Sequence, residues 1–374
     1  MKRICFFLDS LSERGLQKST LRFAWYNEKL LGNKSLIVYN QTSIENNQAA
    51  IDCFSSQIQL IACNSFSEVD QIITKYHCDA LYIQKGGELD GKISRSCPTM
   101  VHAVFAQNPL EVHGHSYAFV SEFLSLKCSL GLIPAVPLIV KIDGDKTTQG
   151  LREKLFIPND AIVYGCYGGK DSFDIQFVRN IVIPKILSCN SHIYFIFMNI
   201  KPFVAHKNVI FLPVSVDSHQ KMLFVNTCDA MIHARLQGES FGLACAEFSA
   251  FNKPIFSYDR SPDKHQFHVL RNSIYGYHNA PQLIKMLESF PFTINASKTY
   301  TGYLDKYTPE YCMDLFDRHL LYPSTKNLAI RPGELNAYYT NSWRIAINYM
   351  IRRFIKLCIK LAFFIRINLL CIGK

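Results

Sequence analysis

Apolar runs of strand length recur along the chain, separated by stretches whose apolar residues repeat at helical spacing. Residues 3–8 form the first run; a polar turn through Gly15 follows, then a helical pattern that takes in Trp25 and Leu30. Further runs lie at 36–39, 59–62 and 80–84, with a helix expected over 66–76 and Gly86-Gly87 closing the segment. Residues 98–105 make another strand, and strand and helix follow across 116–126. Such alternation predicts a parallel sheet, because each parallel pair needs a crossover to bring the chain back to the same edge. Two prolines and a polar stretch interrupt the pattern at 134–150, the best boundary in the chain. Beyond it the alternation restarts. Strands are expected at 161–164, 193–198, 209–212 and 230–234, helices at 173–187, 220–226, 282–288 and 308–321, and a strand–turn–helix–strand unit over 231–256. The fold class predicted is α/β, with two Rossmann-like halves.

A length of 374 residues fits about two cores, and 48% apolar with 19% charged residues can fill both. The expected division is 1–140 and 151–298 as the two α/β domains, 141–150 as linker, 299–321 as a closing helical region, 322–342 as a second linker, and 343–374 as a tail. The net charge of +10 is uneven. Arg344, Arg352, Arg353, Lys356, Lys360, Arg366 and Lys374 stand in the tail with no acidic residue among them, and the rest of the chain is close to neutral. No RNA-binding sheet motif or zinc finger accompanies the charge, so a nucleic-acid partner is not expected. In the tail, polar residues recur at about every fourth position on an otherwise apolar helix, the pattern of a segment lying on an anionic membrane surface; the competing reading is a helix docked on its own protein. The longest uncharged run there, 367–373, is far too short to span a bilayer.

The 13 cysteines include no CxxC pair and no Cys/His cluster at zinc spacing, which suits free thiols in a reducing, cytoplasmic setting. The amino-terminal MKRICFFLDS has too short an apolar run for a signal peptide and reads as a buried strand. Asp143-Gly-Asp145 has the form of an acidic triplet that binds a metal–nucleotide, but such triplets are routine turn chemistry and no second acidic cluster completes a Mg²⁺ site.

The chemistry is densest at 231–256, MIHARLQGESFGLACAEFSAFNKPIF. Gly238 and Gly242 loosen the turn, a small-residue helix is expected over 241–250, and Asn252-Lys253-Pro254 stops it. A helix beginning at Phe241 would present free amides to an anion such as phosphate. Glu239 would stand beside that anion, and Glu247, about 12 Å along a helix, near the far end of an extended ligand. That spacing exceeds the carboxylate separation of a glycosidase. Upstream, a glycine turn, Gly165 to Asp171, places Lys170 where a phosphate could bind, or where an ordinary loop lysine is solvated. Gly15 can serve close backbone approach or a plain turn. His102 can serve a ligand near a strand end or the core, and the loop carrying His113 and His115 offers a rival.

These residues resemble a known family. GESFGLACAEFSAFNKPIF, preceded by DAMIHAR and by IPNDAIVYGCYGGKDSFD, is similar to the donor-binding domain of the retaining glycosyltransferases called group 1 or family four. HAVFAQNPLEVHGHSYAFVSEFLS resembles the end of that family's first domain. The resemblance implies two Rossmann-like domains facing across a cleft, the GT-B architecture. It implies a metal-independent, cofactor-free transfer of a hexosyl group from a nucleotide-sugar to a glycan or lipid-linked acceptor. By the same resemblance Glu239, His102 and Lys170 are the catalytic candidates. Glu247 would hold the ribose; Ser240, Phe241 and Gly242 would face the pyrophosphate; Gly15 and Arg235 would complete the donor site. Where the family usually carries arginine, this chain has Cys166, and Arg235 is the candidate replacement. Two other classes stay open: an epimerase or phosphorylase of the same plan, and a membrane-peripheral binding protein with a degenerate site, favoured by Cys166.

Overall fold

The computed structural model describes residues 1–12, 14–108, 111–142, 150–215, 217–293 (side chains of 291–293 excepted), 299–323 and Cys358. Asp143-Gly-Asp145 and, Cys358 aside, the basic tail lie outside the described residues. The chain divides into two units, Met1–Ile139 with Pro309 onward, and Val140–Thr308.

In the first unit β1 (Arg3–Leu8), β2 (Lys34–Asn40), β3 (Gln59–Cys63), β4 (Ala80–Lys85), β5 (Thr99–Ala103) and β6 (Ser116–Phe119) form a parallel sheet in the order β3-β2-β1-β4-β5-β6. The connections carry α1 (Gly15–Lys29), α2 (Gln48–Ser55) and α3 (Val69–Lys75), and α4 (Glu122–Ser129) follows β6. β4 is buried along its whole length, as expected of a central parallel strand covered on both faces. On one face Cys5, Phe7, Leu36, Val38, Leu81 and Ile83 pack against Val69 and Ile73 of α3. On the other, Phe6 and Phe23 of α1 pack against Tyr82 with ring centroids 5.1 and 5.9 Å away.

The second unit repeats the plan. Its strands are β7 (Ile162–Tyr167), β8 (Ile193–Met198), β9 (Val209–Leu212), β10 (Ala230–His233), β12 (Ile255–Tyr258) and β14 (Tyr275–Tyr277), parallel and ordered β14-β12-β10-β7-β8-β9. A separate pair joins β11 (Gly238–Glu239) to β13 (Asp263–Lys264). The helices are α5 (Ile183–Cys189), α6 (Ser218–Thr227), α7 (Leu243–Ala250), α8 (His265–Leu270), α9 (Ala280–Thr293) and α10 (Gly302–Lys306). Tyr164 anchors the core against Phe195, Phe256 and Phe290 and donates its hydroxyl proton to Leu287 O at 2.7 Å.

Three expectations change. The helix expected from residue 173 comes later, as a π-helical turn at Val178–Val182 leading into α5, because the amides of Asp174 and Ile175 are engaged by Ala234 O. The helix expected from 241 begins at Leu243, after Gly242 has taken a left-handed conformation (φ 86°). The closing region 299–321 is not one piece: α10 belongs to the second unit, whereas α11 (Pro309–Phe316) and a π-helical turn at Asp317–Leu321 return to the first. There Phe316 stacks on Phe23 with ring centroids 5.4 Å apart, and Ser116 Oγ donates to Leu320 O at 2.7 Å. Among the described residues no helix is long and apolar enough to cross a membrane. The described cysteines are free thiols.

Candidate active site

In the second sheet the strand order reverses between β7 and β10. Ligands of open parallel sheets gather beyond the carboxyl ends of the strands at such a reversal. The loops leaving these two strands are tied together. Asp174 N and Ile175 N donate to Ala234 O at 2.9 and 3.3 Å, and Leu236 N donates to Asp174 Oδ1 at 2.7 Å. From Arg235 the chain enters β11 through Gly238, whose φ of 75° and closeness to its neighbour exclude a side chain: a β-carbon there would lie 1.9 Å from Asp263 O. Gly242 is constrained too, since a β-carbon would come within 3.0 Å of Glu239 Cβ and Cγ.

Glu239 is held by two cationic or donor groups. His233 Nε2 lies 3.0 Å from Oε1, and Arg235 Nη1 donates to Oε1 and Oε2 at 3.1 and 3.2 Å. Burial alone would raise this carboxyl; the hydrogen bond to His233 and the charge of Arg235 outweigh it, and the net direction is below the ordinary glutamate value. The Glu239 charge in turn raises Arg235. Glu239 therefore stands ionised near neutral pH. Glu239 lies in β11 and Glu247 on α7, so the two acids do not share one helix.

Glu247 is on α7, and Tyr167, the last residue of β7, donates its hydroxyl proton to Glu247 Oε2. The two acids are thus held at the ends of the two strands that flank the reversal. Between them in sequence, Ser240, Phe241 and Gly242 precede α7. Phe241 is locked in place: its ring packs on His265, Tyr307 and Tyr303 at 5.1, 5.2 and 5.6 Å, and its carbonyl accepts from Tyr303 Oη at 2.7 Å. Lys170 is exposed in the loop after β7, a loop pinned from the segment following β8 by Asn199 Nδ2 donating to Gly168 O at 2.7 Å and Lys201 N donating to Lys170 O at 3.0 Å.

Cys166 is inside β7 and buried. Burial pushes its thiol far up, and the charge of Glu239 pushes it further; the residue is a core position of the strand and not a loop position. Arg235, the candidate replacement for the missing arginine, has Nη1 committed to Glu239.

The candidates in the first unit fare differently. Gly15 is the exposed first residue of α1. His102 is fully buried, with Nδ1 2.6 Å from Tyr82 Oη and Nε2 2.7 Å from Val136 O. Both ring nitrogens are engaged inside the core, and burial lowers its pKa to about 4. In place of the ligand contact expected of it, His102 makes a core contact. His113 is buried with Nδ1 2.8 Å from Glu111 O and its ring edge-on to Tyr117, and His115 Nδ1 accepts from Thr99 N at 3.0 Å. Sequence reasoning gave no role to His233, Ser257 or Tyr167. His233 carried a usable signal, a polar residue ending an apolar strand two positions before Arg235. Ser257 and Tyr167 carried none, because the role of Ser257 comes from sheet register and that of Tyr167 from a bond to α7. Among the described residues no group of three or more His, Cys, Asp or Glu side chains could hold a metal ion.

No protein-family model and no curated protein matches the sequence. Solved structures do match in fold. A glycosyltransferase from Rickettsia africae has a TM-score of 0.65 at 13% identity, over 86% of this chain and 99% of that one. Anabaena HepE, solved with UDP and glucose, has a TM-score of 0.60 at 12% identity, over 91% and 100%. A provisionally assigned UDP-N-acetylglucosamine 2-epimerase from Listeria monocytogenes has a TM-score of 0.54 at 9% identity, over 88% and 99%. The expected fold class, two Rossmann-like units of the kind found in these glycosyltransferases, is the fold observed.

Proposed function

We propose that the chain is a nucleotide-sugar-dependent glycosyltransferase that moves a hexosyl group to an acceptor hydroxyl with retention and without a metal ion. The observation that carries this reading is Glu239, an ionised carboxylate pinned by His233 and Arg235 beside the switch point of a Rossmann-like sheet, with Glu247 tethered at the end of the neighbouring strand. In the mechanism we propose, Glu239 accepts hydroxyl protons of the transferred sugar, and Glu247 accepts those of the ribose. Ser240, Phe241 and Gly242 face the diphosphate with the first amides of α7, and Lys170 and Arg235 neutralise the charge that develops as the diphosphate leaves. Gly15 gives close backbone approach at the start of α1. His102 is left out of the chemistry, since neither ring nitrogen is spare.

The match of HepE to this fold in a complex with UDP and glucose supports a uridine nucleotide-sugar as the first donor to try. The provisionally assigned epimerase of the same fold keeps a second reading in view, an epimerase acting on the sugar nucleotide. Incubation with a panel of nucleotide-sugars, with and without glycan or lipid-linked acceptors and with chelator added, separates them. Release of free nucleoside diphosphate and an anomer of retained configuration support the transferase, whereas an isomerised but intact nucleotide-sugar supports the epimerase. No turnover across the panel, with Glu239→Ala behaving as the parent, would sink both. From composition alone we assign residues 343–374 to an anionic membrane surface; removing them should abolish binding to anionic vesicles and spare donor hydrolysis.

A further inference from the structure

The Glu239 carboxylate ends a line of side chains that runs back into the sheet. Gln266 Nε2 donates to Ser257 Oγ at 3.2 Å, Ser257 Oγ lies 2.9 Å from His233 Nδ1, and His233 Nε2 lies 3.0 Å from Glu239 Oε1. His233 is 4% exposed, and Ser257 and Gln266 are 0% exposed, so water does not substitute for these partners. The direction of the line follows from donor counting. Ser257 accepts the amide proton of Gln266 and keeps its own hydroxyl proton to give to Nδ1. Nε2 must then carry the ring proton, and it delivers it to Glu239. The opposite tautomer would set a nitrogen lone pair against a carboxylate oxygen. The backbone is held as well, since Tyr277 Oη donates to His233 O at 3.0 Å.

The two carboxylate oxygens are consequently unequal. Oε1 receives His233 and Arg235, whereas Oε2 receives Arg235. An ionised carboxylate has about four acceptor positions, so Oε2 retains capacity for a ligand donor. Facing Glu239 are His233 from β10, Arg235 from the following loop, Cys166 from β7 and Cys245 from α7; Asp174 and Asp263 face Arg235.

We infer that His233 is a positioning residue whose Nε2–H, oriented by Ser257 and Gln266, fixes Glu239 as an ionised acceptor and leaves Oε2 to bind a hydroxyl group of the ligand. The identity of that ligand as a sugar rests on the transferase reading; the state of the carboxylate does not. The test is a ¹³C NMR titration of the full chain labelled at glutamate Cδ, with Glu239→Gln used to assign the resonance. In His233→Ala the Glu239 midpoint should rise by about one unit, the scale of one charge-assisted hydrogen bond. His233→Gln, which restores an amide N–H near the Nε2 position, should return most of that shift, and Ser257→Ala should give a smaller rise. With nucleotide-sugar, the acid limb of kcat should move with the NMR midpoint. A midpoint unmoved in His233→Ala, or moved equally in His233→Gln, overturns the inference. If His233→Ala does not fold, Ser257→Ala decides: a raised midpoint supports the relay and an unmoved one overturns it. A parent protein that turns over no nucleotide-sugar refutes the transferase reading alone, because the ligand-free titration still reports on His233.

Discussion

The same strand order is built twice in this chain, and each copy carries a buried histidine in a core strand. His102 in β5 and His233 at the end of β10 both have two engaged ring nitrogens. Their partners differ in kind. His102 binds Tyr82 Oη and a backbone carbonyl, with Phe23 edge-on at 5.4 Å, so its hydrogen bonds close within the core. His233 spans from a buried serine to a carboxylate that stands at the mouth of the sheet. A polar residue in an apolar strand is therefore a question and not an answer; the neighbouring strand decides whether it rigidifies the core or serves a ligand. The ionic pairs at the two carboxyl edges carry the same lesson. In the first unit Lys92 binds Asp9 at 2.6 Å and buried Lys85 binds Asp90, a closed set of ion pairs. In the second unit the Arg235 guanidinium pairs with Glu239, and the His233 ring adds a hydrogen bond to the same acid.

The sharpest way to break this contrast is Glu239→Ala. Loss of a fixed group that acts on the transferred sugar should lower nucleoside diphosphate release by the folded fraction on the order of 10³-fold. If the first unit held the decisive carboxylate instead, the loss would be slight. Next, Gly238→Ala forces a β-carbon to 1.9 Å from Asp263 O, so β11 must part from β13 and carry Glu239 with it. A fall of roughly 10²-fold in kcat/KM is expected from the displacement, and restored activity at full expression would show that Glu239 needs no such anchoring. His102→Ala should do the reverse. Leaving the Tyr82 hydroxyl and the Val136 carbonyl without their partner costs about 2 kcal/mol of stability in urea denaturation, while the donor KM of the folded fraction stays put.

The last effect is graded with pH. His102 takes up a proton near 6.5 when unfolded and near 4 when folded, so the unfolded chain binds the extra proton in that window. The stability present above pH 6.5 should therefore decline as pH falls toward 4, by up to about 1.4 kcal/mol per pH unit. Urea midpoints at pH 7 and pH 5 would report it, and His102→Gln should flatten the slope.

Much of this was legible in the sequence. Alternating apolar runs and helices gave two parallel α/β units, and ESFGLACAE marked the acids. Periodicity could not reveal that the helix waits until Leu243, because the left-handed turn at Gly242 is a backbone choice that glycine permits without announcing. Nor could it assign His102, whose fate depends on Tyr82, a residue of the adjacent strand two places from the one it faces and twenty positions away in sequence. Ser257 and Gln266 look like ordinary polar residues until β12 is laid beside β10. The region 299–321 reads as one piece because only the helix over 308–321 shows a periodic pattern, whereas α10 is a separate short helix that belongs to the other unit.

That last segment bears on how the protein is made. The second unit is continuous in sequence, whereas the first is completed only when α11 docks with Phe316 against Phe23 and Tyr82. On the ribosome, where folding proceeds in the order of synthesis at about 5–20 residues per second, the amino-terminal sheet keeps its α11-facing surface bare throughout translation of the whole second unit. The earlier-made half is then the later to finish folding, and during that interval the exposed surface is where a nascent-chain chaperone would be needed.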